Sequence, residues 1–336
     1  VRYHALAVEA TFLSQETKRF ERGQAVDFAF QPVRMPATSK NSAGYYLQPG
    51  VDWVNLLAGS EGTLGIVTEI ELKLLPQPPA ILSGVVFFSS DEDALNAVEA
   101  WRSIPELRLL EFMDDFALQL LRPRYNEIPA AAGAALLIEQ NLESEQDSQV
   151  DLWTQRLTAQ QAFEETSWFG FSHSDQARFR DFRHTLPTMV TDIVRRNGFP
   201  KFSTDFAVPL DRYRELHAYY KKRCGEMLPG AFTIFGHVGD ANNHVNLLPQ
   251  TPEQALQGEE LMREFAGVVI AIGGTVAAEH GIGKTKTDLL KLMYSTQEIE
   301  SMRATKRHLD PEWLLGQGTL FETPADSSRA ASLGQT

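Results

Sequence analysis

The run 59–79, GSEGTLGIVTEIELKLLPQPP, puts the tightest limit on the fold. Gly59, Gly62 and Gly65 make a turn, and from there apolar and polar residues alternate. Ile66, Thr68, Ile70, Leu72 and Leu74 share one face, with Val67, Glu69, Glu71 and Lys73 on the other. A period of two is a strand pattern, not a helical one. Pro76, Pro78 and Pro79 then stop the strand, because a prolyl residue has no amide hydrogen to give to a ladder. The sequence therefore predicts a domain boundary at this cluster, with a first domain over 1–78.

Beyond the boundary the types mix. Residues 85–88 read as a short apolar strand, and 91–103 as a helix with an acidic start and apolar spacing at Leu95, Val98 and Trp101. A strand over 134–139 follows, then helices over 147–157 and 174–194, strands over 204–209 and 232–248, and a long helix over 252–271. A helical run over 286–308 ends at Asp310-Pro311, and no internal repeat is present. Strands mixed with amphipathic helices predict an α+β fold. The second domain is placed at 79–285 and a C-terminal segment at 286–323. The Ser- and Ala-rich tail 324–336 has no apolar period and is expected to be disordered.

Composition removes several functions. With 336 residues and 43% hydrophobic residues there is material for two packed cores. Lys and Arg number 31 against 44 Asp and Glu, a net charge of −13, which argues against nucleic acid as a partner. Cys224 is alone, so neither an intrachain disulfide nor a thiolate cluster can form, in keeping with a reducing compartment. No apolar run approaches the roughly 20 residues of a membrane span. The expected location is the cytoplasm or the periphery of the inner membrane. The chain opens at Val1 with no initiator Met and no signal segment, and reads as truncated or as continuing from something upstream.

Two short segments carry chemistry. In GHVGDANNHVN, 236–246, His237 and His244 would point to opposite faces of an unbroken strand. The insert Gly239-Asp240-Ala241-Asn242-Asn243 is rich in residues that tolerate positive φ, so a turn or bulge can bring both imidazoles to one point. His244 and Asn246, two apart, share a face wherever the strand resumes. The second segment is Glu279-His280-Gly281-Ile282-Gly283, a carboxylate beside a histidine and two glycines that allow close backbone approach. Two imidazoles and one carboxylate form the ligand set of a catalytic zinc or similar divalent ion. Core or surface histidines remain the competing explanation on local pattern alone.

Taken in order, these segments resemble the FAD-linked oxidase family related to vanillyl-alcohol oxidase, in its D-2-hydroxyacid dehydrogenase branch. The pieces are Lys40-Asn41-Ser42-Ala43-Gly44-Tyr45, Gly59-Ser60-Glu61-Gly62-Thr63-Leu64-Gly65-Ile66, the His237 segment, the Glu279 segment and Leu309-Asp310-Pro311. The resemblance implies a two-part flavin domain, of which this chain holds the C-terminal part. It also implies a substrate or cap domain with a ferredoxin-like antiparallel sheet, and a helical return segment. Its implied residues are His237, His244 and Glu279 as metal ligands, His280 as the base, and Asn246, Lys201 and Arg183 on the substrate. Gly59, Ser60, Glu61, Gly62, Gly65 and Ile66 are the implied flavin contacts. Lys201 sits two residues out of the family's spacing to Pro209. Arg183, with Arg178 and Arg180 nearby, also fits a solvated basic helix face, and GSEGTLGI alone fits an ordinary glycine turn.

The implied cofactors are FAD and a divalent metal, zinc above all. The implied reaction oxidises a D-2-hydroxy acid of the D-lactate, D-2-hydroxyglutarate or glycolate type to the 2-oxo acid. Two departures from the family pattern stand out. The Gly-rich pyrophosphate loop, which the family pattern places ahead of the first matched segment, is not among residues 1–336, and Gly316-Gln317-Gly318-Thr319 replaces an Asn-Pro-Gly-Lys run. The alternatives are a non-redox flavin enzyme like the ether-lipid synthase of the superfamily, and a substrate- and metal-binding module, inactive alone, that docks with a separate FAD-binding chain. A homodimer is also compatible, and the electron acceptor is not legible.

Overall fold

The computed structural model describes residues 4–14 and 16–323; Val1 and the tail 324–336 lie outside the described residues. In chain order the elements are β1 (Ala5–Thr11), β2 (Thr17–Glu21), α1 (Trp53–Leu57), β3 (Ile66–Leu72), β4 (Ala80–Phe88), α2 (Asp91–Trp101), β5 (Leu107–Asp114), α3 (Asp115–Leu121) and β6 (Ala134–Leu142). There follow α4 (Ser148–Ala159), β7 (Trp168–Gly170), α5 (His173–Asn197), β8 (Phe202–Ser203), α6 (Tyr213–Met227), β9 (Phe232–His237), β10 (Asn242–Leu247), α7 (Pro252–Ala271), α8 (Thr287–Met293) and α9 (Thr296–Leu309). The chain is α+β, as its sequence predicts. Its described residues fold as two compact units, one from those within 1–36, 41–75 and 275–323, the other from Ala37–Lys40 and Pro76–Gly274.

The second unit is built on a seven-stranded antiparallel sheet in the order β7-β4-β6-β5-β9-β10-β8. Strand parity divides its side chains between two layers. Phe87, Ala135 and Met113 lie opposite one another and join one core with Ala117, Leu118 and Leu121 of α3 and Phe179, Phe182, Leu186 and Val190 of α5. The alternate residues face the other way, where Phe88 meets Trp101 of α2 and Phe112 meets His217 of α6. The 3- and 4-residue spacing of the α5 apolar positions puts them on one stripe. A Ser172–Asp175 capping box starts that helix, and left-handed Gly198 ends it.

The first unit holds the small sheet β2-β1-β3, also antiparallel. Phe20 stacks on Trp53 at 4.5 Å between ring centroids and anchors α1 to it. The C-terminal helices pack here too: Tyr294 donates its hydroxyl hydrogen to Ala43 O at 3.1 Å, and Met302 fills the space beside Gly44, where a Cβ would lie 2.7 Å from its sulfur.

The alternating run after Gly65 is a strand, as its period predicts, and both of its faces are exposed, with Ile66 at 59% and Ile70 at 46%. Two expectations need correction. The 286–308 run is two helices, because Ser295 leaves α8 behind and N-caps α9, with Glu298 closing a capping box. Residues 204–209 are not a strand. Phe202–Ser203 is the only stretch of strand that pairs with β10; beyond it the contact is intermittent, with backbone bonds from Thr204 N to Val245 O at 3.1 Å and from Val208 N to Ala241 O at 3.4 Å, and side chains filling in, Thr204 Oγ1 accepting from Val245 N and Asn242 Nδ2 donating to Phe206 O.

Candidate active site

The predicted turn between His237 and His244 exists. β9 ends at His237, Val238–Asp240 forms a short 3-10 turn, Ala241 adopts a left-handed φ of 51°, and β10 begins at Asn242. The register pairs Asn242 with His237 and His244 with Phe235. His237 and His244 are thus diagonal neighbours on one face, with ring centroids 6.0 Å apart and planes at 78°. Gly236, at φ 137°, makes room for this: a Cβ there would lie 3.0 Å from His244 Cδ2.

Hydrogen bonding fixes the rings. His244 Nδ1 lies 2.7 Å from Thr204 O, and since a carbonyl only accepts, Nδ1 carries the hydrogen and the neutral ring keeps its lone pair on Nε2. His237 Nδ1 lies 3.0 Å from Glu111 Oε1. That contact is off-axis, so Oε1, although buried, has no aligned donor. Its orientation again leaves Nε2 as the ligand nitrogen, the arrangement in which a carboxylate supports a metal-binding histidine.

Glu111 also accepts from Arg183 Nε through its second oxygen. Parity explains the meeting. Glu111 lies two residues before Met113 on β5, facing α5, which carries Arg183 directly after buried Phe182. Burial pushes the Glu111 carboxyl up, but the close contact with His237 and the hydrogen bond and charge of Arg183 outweigh it and hold it below the usual carboxylate range. Further along β10, Asn246 Oδ1 accepts from Lys201 Nζ and Ser203 Oγ, each at 3.1 Å, and Asn246 Nδ2 donates to His244 O at 3.2 Å. Burial pulls the Lys201 ammonium down. The second unit thus gathers Arg183, Lys201, His237, His244 and Asn246.

It adds two residues that sequence reasoning missed. Glu111 is 4% exposed, and Asp205, 1% exposed, brings a carboxylate oxygen within 4.8 Å of a ring nitrogen of His244. Both signals were present as single acids among apolar neighbours, in LEFM and TDFAV. An acid so placed is uncommon unless it is paired.

The first unit gathers the other predicted residues. Glu61, at a left-handed φ of 52°, accepts from Ile282 N at 2.9 Å and Gly283 N at 2.7 Å, tying the 59–66 loop to the segment after Glu279 and His280. Gly281 is required there, since a Cβ would sit 2.7 Å from the Glu61 carboxylate. Ser42 accepts from Gly281 N through its hydroxyl and donates its own amide to Ala277 O. Three of the resembling segments are therefore one hydrogen-bonded platform. Glu279 and His280 are on its exposed side.

The donor chemistry fits the implied groups. Two imidazoles presenting Nε2, with buried carboxylates nearby, suit zinc or a similar borderline cation. Around Gly62 and Gly283, both at positive φ, nothing lies within 4 Å of where a Cβ would be, so bare backbone is open to a planar ligand.

Known proteins bear on this arrangement. The chain is 28% identical over 288 residues to a probable mitochondrial D-lactate dehydrogenase of Danio rerio, covering 84% of this chain and 55% of that protein. It is 30% identical over 298 residues to a D-2-hydroxyglutarate dehydrogenase of Xanthomonas citri pv. viticola, covering 85% and 60%. The chain thus spans a little over half the length of these relatives. In fold it is similar to p-cresol methylhydroxylase with substrate bound, at a TM-score of 0.61 and 12% identity, covering 96% of this chain and 66% of that one. Residues 77–320, most of the chain, match the pattern described as FAD linked oxidases, C-terminal domain, and the chain belongs to that family.

Proposed function

We propose that this chain is the substrate- and metal-binding part, with a portion of the flavin platform, of an FAD- and metal-dependent dehydrogenase of D-2-hydroxy acids. The observation that carries the reading is the single buried carboxylate of Glu111, which holds both the imidazole of His237 and the guanidinium of Arg183. Names of the relatives, which act on D-lactate and D-2-hydroxyglutarate, support it. Residues 1–78 and 286–323 are read as the flavin side and 79–285 as the substrate side.

Arg183 binds the substrate carboxylate through its Nη atoms, since Nε is taken by Glu111, and that grip sets which hydrogen faces the acceptor. Asn246 and Lys201 line the substrate side as hydrogen-bond donors. His237, His244 and Glu279 would hold a divalent ion, which lowers the pKa of the substrate hydroxyl. His280 takes the hydroxyl proton at its imidazole. Gly59, Ser60, Glu61, Gly62, Gly65 and Ile66 would contact FAD, which when bound would supply the acceptor for the two electrons and hydrogen of the same carbon.

The test is direct. The protein, expressed in its full reading frame, should show flavin absorbance that bleaches anaerobically with D-lactate, glycolate or D-2-hydroxyglutarate and fails to bleach after metal is stripped by a chelator. Flavin that no 2-hydroxy acid reduces would remove the reading.

A further inference from the structure

Beside His237 the second unit has a hollow of about 260 Å³, lined in part by Arg102, Arg108, Glu111, His237 and Asp240. It is smaller than the roughly 300–1,000 Å³ typical of drug-sized ligands, so it suits a small acid.

Its charges do not cancel. Glu111 is occupied by His237 and Arg183. Asp240 pairs with Lys40 at 2.9 Å, and Arg108 with Glu139 at 3.4 Å. Glu99, the acid that most influences Arg102, is held by Arg214 at 2.8 Å. What is left over is Arg102. Among the described residues no carboxylate lies within 4.0 Å of its guanidinium, which makes one hydrogen bond, from Nη1 to Leu210 O at 3.2 Å. Arg102 Nε is buried and has no acceptor at all. An N–H removed from water without a partner is costly, and a guanidinium presents its donors in the fork that matches a carboxylate. The exposed Arg108 adds a second positive charge to the lining and disfavours a cation there.

We propose that this hollow is an anion subsite in which Arg102 takes the far carboxylate of a 2-hydroxydicarboxylic acid. The proposal deepens the function argued above and rests on it: the hydroxy-acid end would be held at His237, His244 and Arg183, and the chain beyond the hydroxyl carbon would lead its second carboxylate to Arg102. A substrate ending in a methyl group, such as lactate, leaves that donor unpaired.

The experiment uses the protein in its full reading frame and has two arms. In the first, without turnover, glutarate, butyrate and inorganic phosphate are each titrated calorimetrically into wild type, Arg102→Gln and Arg102→Lys. Glutarate affinity should fall at least about tenfold in R102Q and much less in R102K, while butyrate is indifferent to both. In the second arm, KM for D-2-hydroxyglutarate should rise at least about tenfold in R102Q with kcat nearly unchanged, while D-lactate kinetics stay within about twofold. Unchanged glutarate affinity in R102Q, equal losses for the mono- and dicarboxylate, or Arg102-dependent binding of phosphate but not glutarate would each overturn the subsite. Should no hydroxy acid reduce the flavin, the function fails on its own terms, and the glutarate titration still decides the subsite.

Discussion

Glu111 Oε1 stands 3.0 Å from His237 Nδ1, and the same carboxylate holds Arg183 by its other oxygen. One buried acid on β5 therefore orients a candidate metal ligand on β9 and a candidate substrate clamp on α5. Replacing Glu111 by Gln keeps its shape and removes its charge. Zinc affinity, measured by competition with a chromogenic chelator, should fall roughly 10–100-fold, as for other carboxylates that orient a ligating histidine. Unaltered zinc affinity in E111Q would mean that His237 is placed by something else.

The same carboxylate sets an acid limit. Its folded pKa lies below the unfolded value, so the stability it contributes is complete above the ordinary Glu pKa of about 4.3 and is lost as pH falls through the lower folded value. Denaturant unfolding of wild type and E111Q should differ at pH 6 and converge in strong acid. A gap that persists at the lowest pH would assign the effect to packing.

Gly236→Ala tests the hairpin. The backbone there is at φ 137°, and the added methyl would meet His244 Cδ2 at 3.0 Å. Strain of about 1–3 kcal/mol is expected, together with displacement of the His244 ring. Urea midpoints report the first effect and zinc titration the second. Wild-type behaviour in both would show that the ring tolerates the methyl.

How much of this was legible depended on sequence distance. The His237–His244 turn could be read because its cause, a run of Gly, Asp and Asn, lies between the two histidines. Glu111 could not, because it reaches His237 only through the pairing of Phe112 with Gly236 across β5 and β9, and cross-strand register between remote segments leaves no local trace. The run LRLLEFMD that forms β5 is also too short and too evenly apolar for periodicity to separate strand from helix. The Asp-Pro at 310–311 was recognised as a motif without a physical reason. The structure supplies one in the buried partner of Asp310.

That partner is Lys306, whose ammonium donates to Asp310 Oδ2 at 2.5 Å, Thr63 O at 2.8 Å and Leu315 O at 2.9 Å. Lys306 is 1% exposed and Asp310 is wholly buried. Three donor hydrogens meet three acceptors, and Asp310 also accepts from Leu314 N and Leu315 N. Lys306→Met would strand a buried carboxylate and two carbonyls, at a loss of about 3–5 kcal/mol. Trp313, whose ring lies 5.3 Å from the ammonium, offers a local fluorescence probe. A loss well under 1 kcal/mol would show that water reaches the pocket.

Asp114 predicts the opposite pH dependence from Glu111. Burial pushes its carboxyl up to about 6, against the attraction of Lys221 and hydrogen bonds from Thr233 Oγ1 and Ala117 N. An acid whose folded pKa is raised binds its proton more tightly when folded, so its contribution to stability grows as pH falls from about 6 toward the unfolded value near 3.9, and is absent well above 6. A tenfold tighter hold on the proton is worth about 1.4 kcal/mol, so the gain between pH 7.5 and 4.5 is on the order of 2 kcal/mol. Asp114→Asn removes the titration, although an amide nitrogen in place of Oδ2 cannot accept from Ile234 N as that oxygen does at 2.9 Å, so the variant is less stable overall. The comparison is therefore of slopes: unfolding free energy should change with pH by about 2 kcal/mol less favourably in D114N than in wild type over that interval. Parallel slopes would mean that Asp114 stays ionised, with Lys221, 3.9 Å away, offsetting its burial.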